Sequence, residues 1–468
     1  MALKRPLSQH AQIIFRAGVE SVCGDRLIRD TVQFGPTEIW FAEHCVDRQA
    51  IDRIILVGAG KASGAMAVGM IERYQADAAS AGLIQFAGHL NVPQGCERIP
   101  EHLSWPDDLT LFAARPAGVN EPTSLAIEGT DRILHWVSEA TPRDLVVVLI
   151  SGGGSALLVR PADGLTLADQ LQVVRQLSGG GADITQLNTV RKHLSAVKGG
   201  RLAAACRHAP MISLVLSDVL GDPLDLIASG PTVADHSTPH DALEILNRFD
   251  PERSISSAVY ECLNQAEQQM LAPEAMSNVT NLVIGNNAVA VDAAGIAAES
   301  LGYNHVMQSA RRSEGTAEEV GRHLADMTVE MLRRDPSRHH QDALITGGEP
   351  VVRLIETSRR GKGGRNQQLV LAAYERLLEL DTSEPIDFDR LVILSGGTDG
   401  EDGPTDAAGA WIDGEVHRRA RHLSLNAADF LRRNDAYSFF EQAGGLLMTG
   451  PTGTNVCDIR ISLVDRLN

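Results

Sequence analysis

Aromatic residues make up only 4% of this chain, so few ring faces are available on which nucleic-acid bases could stack. The six cysteines (Cys23, Cys45, Cys96, Cys206, Cys262 and Cys457) are scattered, with no CxxC pair. That spacing fits neither a disulfide framework nor a zinc site, and points to a reducing cytoplasm. Positive charge is in deficit: 42 Lys and Arg against 60 Asp and Glu leave a net charge of -18. Such a chain repels phosphate backbones and anionic lipid, so neither nucleic acid nor membrane is expected as a partner. Long apolar runs are missing too. Leu145–Ile150 is typical and far too short to span a bilayer. The N-terminal stretch MALKRPLSQHAQIIF has no apolar h-region of the secretory kind. A GxxxxGK phosphate loop, a GxSxG nucleophile elbow and an HExxH zinc helix are all absent.

Glycine, in contrast, is plentiful, at 43 of 468 residues. The length favours two or three domains. Short apolar runs at Arg53–Val57, Leu145–Ile150, Ile212–Leu216, Asn281–Ile284, Asp342–Ile345, Leu391–Leu394 and Leu446–Met448 are mostly continuous, not alternating. Continuous runs mark strands buried on both faces. Helical patterns lie between them, at Ala62–Tyr74, Leu167–Leu177 and Gln367–Leu380, and residues 10–50 also read as helical. The alternation predicts an α/β protein. A pattern break near residues 236–280 places the boundary between an N-terminal domain, 1–275, and a C-terminal domain, 276–468.

Several of these strands run into small-residue loops, where parallel sheets bind ligands. In VGAGKAS, Gly58 and Gly60 allow a tight turn before a helix, and Lys61 could meet a phosphate. A solvated lysine on an ordinary strand–turn–helix is the alternative. In SGGGSA, the amides of Gly152, Gly153 and Gly154, flanked by Ser151 and Ser155, could form an anion nest; a plain turn with a capping serine is the alternative. The stretch NTVRKHLSAVKGGRLA carries Arg191 and Lys198, seven apart on one face of an expected helix, with no acidic residue nearby. Asp218 and Asp222 follow a strand and could hold Mg²⁺ or merely cap turns. The run ETSRRGKGGRNQQ sets Arg365 at a helix start, with Asn366 beside it. A second loop, LSGGTDGEDGPTDAAGA, offers Gly396, Gly397 and Thr398, then Asp399.

Taken together, GAGKAS (58–63), ISGGGSALL (150–158), NTVRKHLSAVKGGRLA (188–203), SDVLGDPLDLIASGPT (217–232), TGGEP (346–350), GKGGRNQQLVLA (361–372), GGTDGEDGPTDAAGA (396–410) and TGPTGTNVCDI (449–459) resemble the class II glycerate kinase family, whose C-terminal portion is the MOFRL domain. The resemblance spans nearly the whole chain in the expected order. It implies a Rossmann-like α/β domain followed by a MOFRL-type α/β domain, each with a largely parallel or mixed sheet flanked by helices, and an active site in the cleft between them. It also implies ATP, a divalent cation such as Mg²⁺, and glycerate as acceptor, with 2-phosphoglycerate as product.

The family's proposed catalytic lysine and arginine fall on Lys61 and Arg365. On this reading Gly58, Gly60, residues 151–155 and 396–398 bind nucleotide, Arg191, Lys198 and Asn366 bind the acceptor, and Asp218 and Asp399 meet metal. The chain departs from the family at Ala114-Arg115-Pro116, where Gly-His-Pro is common. A homodimer is the candidate assembly. Two other functions stay open: reduction of hydroxypyruvate with NAD(P)H, disfavoured because Ser63 takes the third glycine position of a dinucleotide fingerprint, and non-catalytic sensing of an anionic metabolite.

Overall fold

The computed structural model describes residues 6–81, 83–116, 119, 121–268, 276–333 and 341–465. It divides into two compact units, Gly24–Ile284 and Met1–Cys23 with Gly285–Asn468. No helix among the described residues is long and apolar enough to cross a membrane.

The unit Gly24–Ile284 opens with a helix, Gly24–Thr31, and a small antiparallel sheet of β1 (Val32–Phe34), β2 (Glu38–Phe41) and β3 (His44–Asp47). This sheet replaces part of the helix expected over residues 10–50. In β2, Ile39 and Phe41 are buried while Glu38 and Trp40 are exposed, the period-2 alternation of a strand. The main sheet holds β4 (Arg53–Ala59), β5 (Gln85–Pro93), β6 (Leu109–Arg115), β7 (Asp144–Ile150), β8 (Met211–Leu216) and β9 (Val279–Gly285), in the order β6-β5-β4-β7-β8-β9. Parallel pairing joins β4 to β5 and β7, β5 to β6, and β7 to β8. The order matches the 3-2-1-4-5-6 of dinucleotide-fold sheets, with the reversal between β4 and β7. Every residue of β7 is buried, as its unbroken apolar run requires. Beyond the sheet, the helices Leu167–Gly179, Ile184–His193, Pro239–Phe249 and Ser257–Gln268 pack Val173, Leu177, Val190, Leu246 and Leu263 into a core of their own.

The other unit is built on β10 (His305–Ser309), β11 (Ala343–Gly348), β12 (Leu391–Gly397), β13 (Gly409–Ile412), β14 (Leu446–Leu447) and β15 (Asp458–Val464). Their order is β10-β11-β15-β12-β13-β14, and β15 runs antiparallel to both its neighbours, so this sheet is mixed. The helix Arg365–Asp381 is buried along ten of its residues.

The first helix, Leu7–Ser21, belongs to this unit, whereas the sequence placed it with the N-terminal domain. It buries Ile14, Phe15 and Val19, and the bare Cα of Gly18 lets it close on Ile459, whose Cδ1 would lie 2.7 Å from an added Cβ. By contacts the later boundary falls at Ile284/Gly285. Residue 275, the last of the expected first domain, lies outside the described residues.

Candidate active site

At the β4–β7 switch point, two glycine turns lock together. The Lys61 N–H donates to Gly152 O at 2.9 Å, and the Ala62 N–H donates to Ser151 Oγ at 2.9 Å. Ser63 Oγ donates to Leu149 O at 3.0 Å. Gly60 has φ +149°, and a Cβ there would collide with Ser151 Oγ and lie 2.6 Å from Ser151 O. Only glycine permits this approach. Gly58 serves the same closure against Leu149. Ser151 itself is buried and spends its hydroxyl on this lock, so it positions the turn instead of facing a ligand. The amides of Gly152 and Gly153, in contrast, donate to no acceptor among the described residues. Gly153 takes φ +77° ahead of the short helix Gly154–Leu157, a left-handed step of the kind found in backbone anion nests.

Beside this loop lies a cavity of about 300 Å³. Its charged lining is Arg115, Arg191 and Lys198, with Glu121 and Arg175 also on the wall. The helix expected over 188–203 ends at His193, so Arg191 and Lys198 do not share a helix face. They meet another way. Gly199 and Gly200, at φ +59° and +80°, turn the chain, and Lys198 Nζ donates to Ser155 O at 3.0 Å while Arg191 Nη2 reaches the same oxygen at 3.4 Å. Neither forms an ion pair with a carboxylate among the described residues. Burial lowers the pKa of Arg191. Burial, and then the charge of Arg191, lower that of Lys198 well below its ordinary value. A polar chain supports the pair: Ser155 Oγ bonds Ser229 Oγ, Ser229 Oγ donates to Asn188 Oδ1, and Arg191 Nη1 donates to the same Oδ1. Ala228 and Ser229 sit at φ +51° and +62°, strain that non-glycine residues hold mainly at functional sites.

In the other unit, Arg365 opens its helix already engaged. Its Nε and Nη2 grip Asp458 at 2.7 and 3.0 Å, and its Nη1 meets Glu349 at 2.9 Å. Burial opposes its charge, but the charge and hydrogen bonds of Asp458, with Glu349, hold its pKa above the ordinary value. Asn366 is buried, with its side chain bonded to Asp402, Asp458 and Ser395, so it fixes this network and leaves no group turned outward. Asp402 accepts the Asn366 and Gln367 N–H groups, capping the helix, while burial pushes its carboxyl up to about 7. Gly396 and Gly397 end β12 inside the sheet. The Gly397 N–H donates to Ala408 O, and the Thr398 N–H and Oγ1 both donate to Cys457 O. These amides are taken by the sheet, unlike those of Gly152 and Gly153.

Two family models match the chain: one described as a domain of unknown function (DUF4147) over residues 10–264, and the MOFRL family over residues 342–458. A D-glycerate 2-kinase of Thermotoga maritima is 36% identical over 452 residues, covering 96% of this chain and 97% of its own length. The chain belongs to the glycerate kinase family. A glycerate kinase of Mus musculus is 35% identical over 98% of this chain and 93% of its own length. The crystal structure of a glycerate kinase from Thermotoga maritima superposes with a TM-score of 0.80 at 35% identity, over 98% of this chain and 99% of that one.

In this member of the glycerate kinase family, Asn188, Ser229, Glu349, Asp402 and Asp458 hold the candidate groups in place, and of these the sequence pointed only to Asp402, with Asp399 and Asp406, as oxygen donors for Mg²⁺ or a hydroxyl-bearing substrate. Asn188, Ser229, Glu349 and Asp458 stand in the stretches that carried the resemblance, and Asp402 stands in the acidic loop 394–410. Only long-range pairing shows their partners. Of the two metal candidates, Asp218 lies two residues beyond β8, partly buried, and Asp399 lies two beyond β12, accepting the Glu401 N–H at 3.1 Å. No group of three or more His, Cys, Asp or Glu that could hold a metal occurs among the described residues.

Proposed function

We propose that this chain transfers the γ-phosphoryl group of ATP to the 2-hydroxyl of D-glycerate, giving 2-phosphoglycerate. The observation that carries this reading is the near full-length similarity to a D-glycerate 2-kinase. The cavity supports it, because Arg191 and Lys198 form no ion pair with a carboxylate among the described residues and so suit an anionic acceptor. Arg191 and Lys198 bind the glycerate carboxylate. The Gly152 and Gly153 amides take nucleotide phosphate oxygens. Lys61 and Arg365 stabilise charge on the transferring phosphoryl group as the acceptor oxygen attacks phosphorus and ADP departs. Such a transfer is driven mainly by positioning and electrostatics.

Either Asp218 or Asp399, each on its own unit, would meet a divalent cation such as Mg²⁺, since magnesium that arrives on phosphates needs only one or two protein carboxylates. When bound, the ion would neutralise phosphate charge. Reduction of hydroxypyruvate fits less well, despite the strand order. β5 ends in Asn91-Val92-Pro93, with no carboxylate to hold the adenosine ribose of NAD. Cysteine usage supports a cytoplasmic setting, since none of the six forms a disulfide. A homodimer is the assembly we expect, and sedimentation at micromolar protein reads it.

A coupled ADP-release assay over small hydroxy acids, with phosphorus NMR of the product, tests the function. D-Glycerate-dependent ADP release and a 2-phosphate ester are expected. No ADP with D-glycerate, together with NADH consumption on hydroxypyruvate, would overturn it.

A further inference from the structure

Arg191 and Lys198 can meet a carboxylate, but a hydroxy acid also carries hydroxyl protons that need acceptors. One wall of the cavity is the helix Leu167–Gly179, which brings Gln170, Val173 and Val174 to it. Their spacing of i, i+3 and i+4 puts all three on one helix face. The helix starts on a capping box of Thr166 and Asp169, so Gln170 stands in a well-fixed first turn. Gln170 Nε2 donates to Leu194 O at 2.6 Å. A carbonyl can only accept, so this bond fixes which way the amide faces and leaves Oε1 as its other arm. Oε1 has no hydrogen bond among the described residues. The other uncharged side-chain oxygen on the wall, Ser155 Oγ, is engaged with Ser229 Oγ at 3.2 Å, and the Glu121 carboxylate faces Arg175 at 3.3 Å. Beside apolar neighbours such as Val173 and Leu194, an unmet oxygen gains from a donor that arrives with the ligand.

We infer that Gln170 sets specificity for a second hydroxyl on the acceptor, its Oε1 accepting a hydrogen bond from the C3 hydroxyl of D-glycerate. The inference rests on the reading of Arg191 and Lys198 as the acceptor-carboxylate pair and of the 2-hydroxyl as the attacking group. D-Glycerate has two hydroxyl donors, and its ionised carboxylate has no proton to give. The 2-hydroxyl must face the phosphoryl group, so the C3 O–H is the donor left for Gln170. D-Lactate has the same carbon skeleton without that hydroxyl. It would set a methyl group against Oε1 and leave the oxygen unmet, and a site that hydrogen-bonds a substrate hydroxyl discriminates against the analogue lacking it. The acceptor class is therefore a short 2,3-dihydroxy acid.

Calorimetry on the full chain, with a non-hydrolysable ATP analogue present, compares D-glycerate with D-lactate for the wild type, Gln170→Met and Gln170→Leu. The wild type should bind D-glycerate about tenfold tighter, the scale of one hydrogen bond whose loss strands an acceptor. Both variants keep a good helix former at this position and should bring the ratio of the two affinities close to one, with D-lactate bound as in the wild type. A merely structural role would not give that split, since damage to the cavity weakens both acids together. Equal affinities in the wild type, no binding of either acid, a ratio kept in either variant, or a parallel loss of both acids would overturn the inference. ADP release with D-glycerate is scored separately. A preference for D-glycerate that the variants lose, without that release, upholds Gln170 and removes the kinase reading, and release without the preference does the reverse.

Discussion

Replacing Asp458 by Asn tests the cation network of the MOFRL unit. Asp458 is wholly buried and accepts two hydrogen bonds from Arg365 and one from Asn366 Nδ2 at 3.0 Å. Asparagine keeps the shape but removes the charge and turns an N–H toward a guanidinium that can only donate. Removing one partner of a buried ion pair costs about 3–5 kcal/mol. Here Arg365 keeps Glu349 at 2.9 Å, and its side chain is 32% exposed. Those facts reduce the loss to about 2–4 kcal/mol. For a unit of this size, that lowers Tm by about 5–15 °C. Arg365 would also lose its fixed orientation, so kcat should fall by about 10- to 100-fold. Scanning calorimetry and ADP release read the two effects. Asp458→Asn combined with Arg365→Met should recover part of the stability, because no uncompensated cation is left. A Tm within about 2 °C of wild type with kcat within about twofold would refute the reasoning.

Lys61→Ala should cut kcat at least about 100-fold, the scale for losing one transition-state donor, with Tm almost unchanged because the side chain is partly exposed. A near-wild-type rate removes it from the mechanism. Gly60→Ala must either push Ser151 away or leave φ +149°, and should cost about 2–3 kcal/mol or more, seen as lost soluble yield and a lower Tm. For Lys198, folding lowers the pKa below 10.5, so the unfolded chain binds the extra proton. Its contribution to stability therefore rises with pH, from the lowered value up to about 10.5. Over the same window the ammonium is lost, so the KM for D-glycerate should climb with pH in the wild type. Lys198→Met should start from a higher KM and flatten that climb; pH-dependent kinetics and urea titrations check both.

The strands buried on two faces were legible because they need no polar residue. β4, β7, β8 and β12 each contain an expected apolar run. β15 was not, because DIRISLV carries Arg460 and Ser462 into the sheet centre, where Arg460 bonds Glu314 at 3.0 Å across 146 positions of sequence. β5 was hidden by small and polar residues, among them Gly88 against Leu56 and the buried Asn91. In the candidate site, glycine turns and clustered cations could be seen in the sequence, since unusual backbone and unbalanced charge are local properties. Where each hydroxyl and amide points could not. Ser151 turns inward to Ala62, 89 positions away, and Asn366 to Asp458, 92 away.

The two basic glycine-rich runs look alike in sequence, and their surroundings separate them. Arg365 stands against two carboxylates, so its local charge is more than balanced and what it offers is a rigid, oriented fork of donors. Arg191 and Lys198 stand against a carbonyl and an amide oxygen, so their charge is unspent, while burial, and for Lys198 also the charge of Arg191, lowers their proton affinity. A cation already matched by fixed acids gains little from binding a carboxylate. A buried pair without one gains the whole of its missing compensation. Net charge at the side chain, more than the count of lysines and arginines along the chain, is therefore what favours our proposal that Arg191 and Lys198 take the acceptor carboxylate while Arg365 presents an oriented fork to the phosphoryl group.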